Sequence, residues 1–162
     1  EIIKQLFDLG RLFNSLENIK IVEKSFKKIA EKELKYKKSS KTIDDVLKDI
    51  IATSLIVSKF PGGTNNDSLE LKELMDGLSR FKSYPIDIKY RADDAILSAA
   101  KAALLSAKIL TRDYEKIEKF SDKSEFEDPV FPKEFSHIRK IKKRKIEAYY
   151  YWCKVFKLIN EE

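Results

Sequence analysis

The stretch Ala92–Leu110, ADDAILSAAKAALLSAKIL, decides how the chain is read. It has no glycine or proline to break a helix, and Asp93 and Asp94 stand where carboxylates favour the positive end of a helix dipole. Its many alanines let neighbouring helices approach closely, so this segment is the expected central helix of a helical body. Lys101 and Lys108 interrupt its apolar run, and the other long run, IIATSLIV, is too short to cross a bilayer.

Working outward, the helical period recurs on both sides. Ile2, Leu6, Leu9, Phe13 and Leu16 predict a helix from Ile2 to about Glu17, with Gly10 inside it at about 1 kcal/mol relative to alanine. Val22, Phe26, Ile29, Ala30 and Leu34 predict a second helix over Lys20–Tyr36, although NIKIV, with Ile19 and Ile21 alternating about Lys20, also has the period of a short strand. Thr42 followed three residues later by Asp45 reads as a capping box, opening a helix to about Lys59. PGGTNND, Pro61–Asp67, is the clearest loop, and Ser68 caps a short helix ending near Phe81.

YPIDIKY, Tyr84–Tyr90, alternates in the strand period after a proline, with NIKIV as its candidate partner. Beyond the central helix, Thr111–Phe120 reads as a further helix or a bent extension. SDKSEFEDPVFP, residues 121–132, is an acidic loop before one final helix from Lys133 to about Ile159. The expected fold is mainly α: a bundle of about six helices in a single domain over residues 1–162. A loop and strand or hairpin insertion falls at about 60–91, with its strand near 84–90.

Four glycines, four prolines and 37% charged residues suit a folded, highly charged helical chain of 162 residues. The sequence starts at Glu1 without methionine, so a few residues are expected to be missing, and no charged n-region plus apolar h-region marks a signal peptide in what remains. Cys153 is the only cysteine, which excludes an internal disulfide and a cysteine-based metal cluster; a soluble, cytoplasmic protein is expected. Lysine occurs 27 times, isoleucine 18 times and glutamine once, a bias of thermophile proteins that an AT-rich genome also produces.

The net charge of +6 is concentrated at one end. Between Lys133 and Lys157 nine basic residues face only Glu134 and Glu147. Projected as one helix, this segment turns Ile138, Ile141, Tyr149, Trp152, Phe156 and Ile159 to a core. Its outer arc carries Arg139, Lys140, Lys143, Arg144, Lys154 and Lys157 with Tyr150 and Tyr151, while Lys142 and Lys145 intrude at the edges of the apolar face and imply that the helix projects beyond the bundle. Cations with accessible rings are what a phosphate backbone bearing unstacked bases requires. The plainer alternative is a solvated lysine face. A second cluster, Lys24, Lys27, Lys28, Lys32, Lys35, Lys37, Lys38 and Lys41, is partly answered by Glu23, Glu31 and Glu33 and is a candidate extension of that surface.

Catalytic patterns are weak by comparison. His137 is the only histidine, and Val130–Pro132 occupy the interval where a small helical HEPN nuclease carries its arginine. Asp44 with Asp45, and Asp93 with Asp94, read as helix starts before they read as magnesium ligands. PGGT lacks the spacing and ending of a phosphate-binding loop. No metal site, cofactor or enzymatic activity is expected.

The helices on either side of PGGTNNDSLELKELMDGLSRFKSYPIDIKY, together with the basic segment IRKIKKRK, resemble in architecture the small subunits of archaeal CRISPR effector complexes. Those are non-catalytic helical proteins that line up along a guide RNA and contact nucleic-acid strands. The resemblance covers most of the chain, carries no diagnostic motif and assigns no residue a role; it implies an RNA- or DNA-binding subunit in antiviral defence. The sequence therefore leads to a non-enzymatic nucleic-acid-binding subunit of a ribonucleoprotein or DNA-processing assembly. Its expected contacts are Arg139, Lys140, Lys142, Lys143, Arg144, Lys145, Tyr150, Tyr151, Lys154 and Lys157, with single strands preferred over sequence-specific duplex. The alternative is a helical adaptor docking an acidic protein partner through the same segment.

Overall fold

The computed structural model describes residues 1–62, 67–81, 89–125 and 127–160. Seven α-helices occur among them: α1 Ile2–Leu12, α2 Ile19–Tyr36, α3 Ile43–Val57, α4 Leu69–Phe81, α5 Ala92–Leu110, α6 Ser136–Arg144 and α7 Ile146–Asn160. Short 3₁₀ turns, Phe13–Ser15 and Lys133–Phe135, follow α1 and precede α6.

Local chemistry sets most of these boundaries. Asn18 accepts from the backbone N–H groups of Lys20 (3.0 Å) and Ile21 (3.3 Å) and so starts α2. Thr42 Oγ1 accepts from Asp45 N at 3.1 Å while Asp45 accepts from Thr42 N at 2.8 Å, completing the capping box of α3. Ser68 caps α4 through Leu71 N, and Arg91 N donates to Asp94 at the start of α5. Two helices end on non-glycine residues in the left-handed region, Lys38 (φ 49°) after α2 and Arg112 (φ 56°) after α5. At each, the following N–H returns to a carbonyl five residues back: Ser39 to Leu34 and Asp113 to Lys108.

α5 is the axis of the bundle, buried along nearly its whole length and packed against α1, α3 and α7. Small side chains allow this. At the α1 crossing, a Cβ placed on Gly10 would lie 2.4 Å from Ser98 Oγ, so a larger residue there would have to displace the serine hydroxyl. Aromatic rings fill the wider spaces, Phe7 edge-on to Tyr90 at 5.2 Å and Phe131 to Phe156 at 4.8 Å.

Two readings change, the strand alternative at NIKIV and the helix after α5, and a third lies mostly outside the described residues. NIKIV is the first turn of α2, since Asn18 supplies a cap and Ile19 faces the core; it pairs with no strand. Most of the strand expected at 84–90 lies outside the described residues, of which Lys89 and Tyr90 form neither helix nor strand, and no strand occurs elsewhere among the described residues. Thr111–Phe120 is irregular, because the left-handed turn at Arg112 ends α5. No described helix is long and apolar enough to cross a membrane.

Candidate nucleic-acid interface

The basic segment is two helices where one was expected. Lys145 leaves helical geometry (φ −148°, ψ 81°) while its N–H still donates to Ile141 O at 2.8 Å. α7 is thereby rotated out of phase with α6, and the two helices have different jobs.

α6 lies against the bundle on Ile138 and Ile141, both buried, so it does not project beyond it. At about 100° per residue, Arg139, Lys140 and Lys143 stand opposite these two isoleucines. All three are exposed, and no described carboxylate lies within ion-pair distance of any of them. Arg139 comes only near enough to Asp128 to help lower its pKa. The flanks of α6 are anchored. On one side Lys142 reaches Asp128 at 2.7 Å and covers the Tyr149 ring at 5.3 Å; on the other Arg144 pairs with Asp93 and donates to Phe60 O at 2.7 Å. The intrusion of Lys142 into the apolar face is thus resolved by reaching sideways to an acid on the 121–132 loop.

His137 and Ser58 add a third anchor that the sequence did not reveal, because 79 residues separate them. His137 Nε2 lies 2.7 Å from Ser58 Oγ. The serine hydroxyl has one proton and donates it to Leu55 O at 2.5 Å, so it accepts from the ring N–H. This geometry ties α6 to the end of α3.

The expected stacking groups are elsewhere. Tyr150 and Tyr151 are 2% and 1% exposed, and no base can reach their faces. Their burial follows from the phase shift at Lys145 and from the irregular segment after α5, which lies over that side of α7. Tyr150 donates to Glu118 O at 3.1 Å, and Tyr151 Oη accepts from Phe120 N at 3.2 Å. Tyr149 and Trp152 are buried, as the projection placed them.

Lys154 is half-buried, its ammonium 2.6 Å from Glu118 and 4.9 Å from the Tyr150 ring centre. Burial alone would lower its pKa, but Glu118 and the Tyr150 hydroxyl together outweigh that and hold it above the ordinary lysine value. Lys157 lies on the rim of a groove of about 320 Å³ that Lys108, Lys116 and Lys154 share with Asp113, Glu115 and Glu118. Both signs line it, so its field largely cancels. Lys145 is half-buried at the helix break. Of the ten expected contacts, only Arg139, Lys140 and Lys143 form one outward cationic crest.

Among the described residues no cluster of histidine, cysteine and carboxylates is placed to hold a metal ion. Asp45 and Asp94 serve their helix starts. Cys153 is buried, which pushes its thiol up to about 11 and leaves it almost wholly un-ionised near neutrality.

Fold and site together define a helical bundle with a short, three-cation crest on α6. No family model, no curated protein and no solved structure matches the chain.

Proposed function

We propose that this protein is a non-catalytic nucleic-acid-binding subunit of a larger assembly, contacting phosphates through Arg139, Lys140 and Lys143. The observation carrying the proposal is that these three cations lie together with no described carboxylate at ion-pair distance, while Lys142 and Arg144 beside them are tied to acids. Anchoring the flanks holds the crest outward and reduces the ordering cost on contact. With no aromatic platform beside it among the described residues, the crest reads charge and not base identity, so binding is sequence-tolerant.

Three phosphate contacts give weak binding by one chain alone, on the order of 10⁻⁴ to 10⁻⁶ M at physiological salt. Such a module becomes effective when several sites act along one strand, because linked contacts multiply. This supports the subunit reading, of which the small helical subunit of an archaeal CRISPR effector complex is the specific form suggested by the sequence.

Fluorescence anisotropy of a labelled single-stranded oligonucleotide, titrated between about 50 and 200 mM salt, tests the proposal. The expected slope of log K against log salt is roughly −2, from three phosphates at about 0.7 each. Absence of oligonucleotide binding even at the lowest salt would refute it and leave an acidic protein as the crest's partner.

A further inference from the structure

A second surface, separate from the α6 crest, lies on α2. This 18-residue helix buries Ile19 and Ala30 and rests Phe26 on the core. The opposite side is exposed and is not uniformly polar. Ile21 and Ile29 are each 64% exposed and Tyr36 83%, so three large apolar side chains stand in solvent on one helix.

At about 100° per residue the three fall within one arc, together with Ser25. They recur after eight and seven residues, two turns apart, over about 22 Å of helix. Lys28 and Lys32 lie within or beside the same stripe, and Lys24 and Lys35 continue it on one side; all four are exposed. No described carboxylate pairs with any of these four. The acids of α2 lie outside the arc: Glu23 is drawn to Lys27 at 2.6 Å, and Glu31 and Glu33 flank it.

We infer that this face of α2 docks an acidic amphipathic helix of a partner protein. Apolar side chains at two-turn intervals match the pitch of a second helix laid along the first. The lysines beside them select a partner whose own apolar stripe is edged by aspartate or glutamate, as flanking charges do in paired helices. Nucleic acid fits less well, because the isoleucines offer phosphate nothing and cannot stack on bases. A bilayer surface fits less well too, since an interfacial helix immerses a continuous apolar face, and here the more continuous one is turned to the bundle.

The probe is a labelled peptide of about 20 residues, long enough to form helix, with leucine at heptad a and d positions and glutamate beside them. Expected is saturable binding to the full chain, weakened at least about tenfold by I21S/I29S and by K24E/K28E/K32E, both at exposed sites whose folding circular dichroism verifies. Replacing the peptide's leucines with serine, or its glutamates with lysine, should abolish binding. R139E/K140E/K143E should leave it unchanged, which separates this inference from the α6 proposal. Equal binding by wild type and I21S/I29S would overturn it. So would a greater loss with the α6 variant, binding of oligonucleotide or phosphatidylserine vesicles that depends on Ile21 and Ile29, or self-association through those residues in sedimentation velocity.

Discussion

Lys142 Nζ lies 2.7 Å from Asp128 Oδ2, while Lys143, the next residue, stands on the crest of α6 without a described acid. A single step of about 100° around the helix therefore separates a cation used to hold the fold from one left for a partner. Asp128→Asn should release Lys142. Its binding slope against salt should then steepen by about 0.7 for single strands, one more phosphate neutralised. Anisotropy at several salt concentrations reads this directly, and an unchanged slope would show that Lys142 stays out of reach.

The same carboxylate gives an acid-side expectation. The hydrogen bond from Lys142 holds Asp128 below the usual carboxylate range, and Lys154 does the same for Glu118. A depressed folded pKa gives stability that is present above the unfolded value of about 4 and lost as pH falls through the folded one. Both pairs are at the surface, so each effect is small. Thermal melts below pH 4 should show D128N/E118Q losing less stability with falling pH than wild type does.

Alkaline pH acts on the core. Burial pushes Cys153 up to about 11 and Tyr90 and Tyr151 up to about 12, from ordinary values of 9.0 and 10.0, and raises Tyr149 as well. The native state holds these protons more tightly than the unfolded chain. Stability is thus fully present below about pH 9 and falls as pH rises through 9 to 12. The melting temperature should begin to drop near pH 9 in wild type, and nearer 10 in Cys153→Ala.

How much of this was legible in the sequence depends on whether a signal is local. The limits of α5, the Thr42–Asp45 capping box and the Ser68 cap lie within a turn of their own partners, and each was readable. Tyr150 and Tyr151 were misplaced because their surroundings are set by the break at Lys145 and by Glu118 and Phe120, some 30 residues away. A run of cations carries no mark of which members will find an acid. Asp93, Asp128 and Glu118 take Arg144, Lys142 and Lys154 through tertiary folding, and only their removal exposes the crest. The strand expectation failed at NIKIV for a local reason: Asn18 is an N-cap, and its helix outweighs a five-residue alternation.

Lys101 is a buried charge in the middle of α5, 4% exposed, 3.3 Å from Glu147 and 3.2 Å from Asn14 Oδ1, with the Phe13 and Tyr151 rings alongside. Lys101→Met should cost about 2 to 3 kcal/mol, below the value for a fully buried pair because Glu147 retains some water. Lys101→Met with Glu147→Leu should recover most of that. Chemical denaturation of the two singles and the double gives the coupling.

The α1–α5 crossing predicts a cost for one methyl group. Gly10→Ala should destabilise by about 1 to 3 kcal/mol, despite alanine's better helix propensity, because its Cβ would press on Ser98. Adding Ser98→Ala removes the 2.4 Å contact with Oγ and should restore part of the loss.

The central claim is that Arg139, Lys140 and Lys143 together meet phosphate. The most direct measurement is the dissociation constant for a single-stranded oligonucleotide, at one physiological salt concentration, of wild type and of R139E/K140E/K143E with its fold verified by circular dichroism. The account predicts a loss of at least about tenfold. Equal affinity in the two proteins would contradict it.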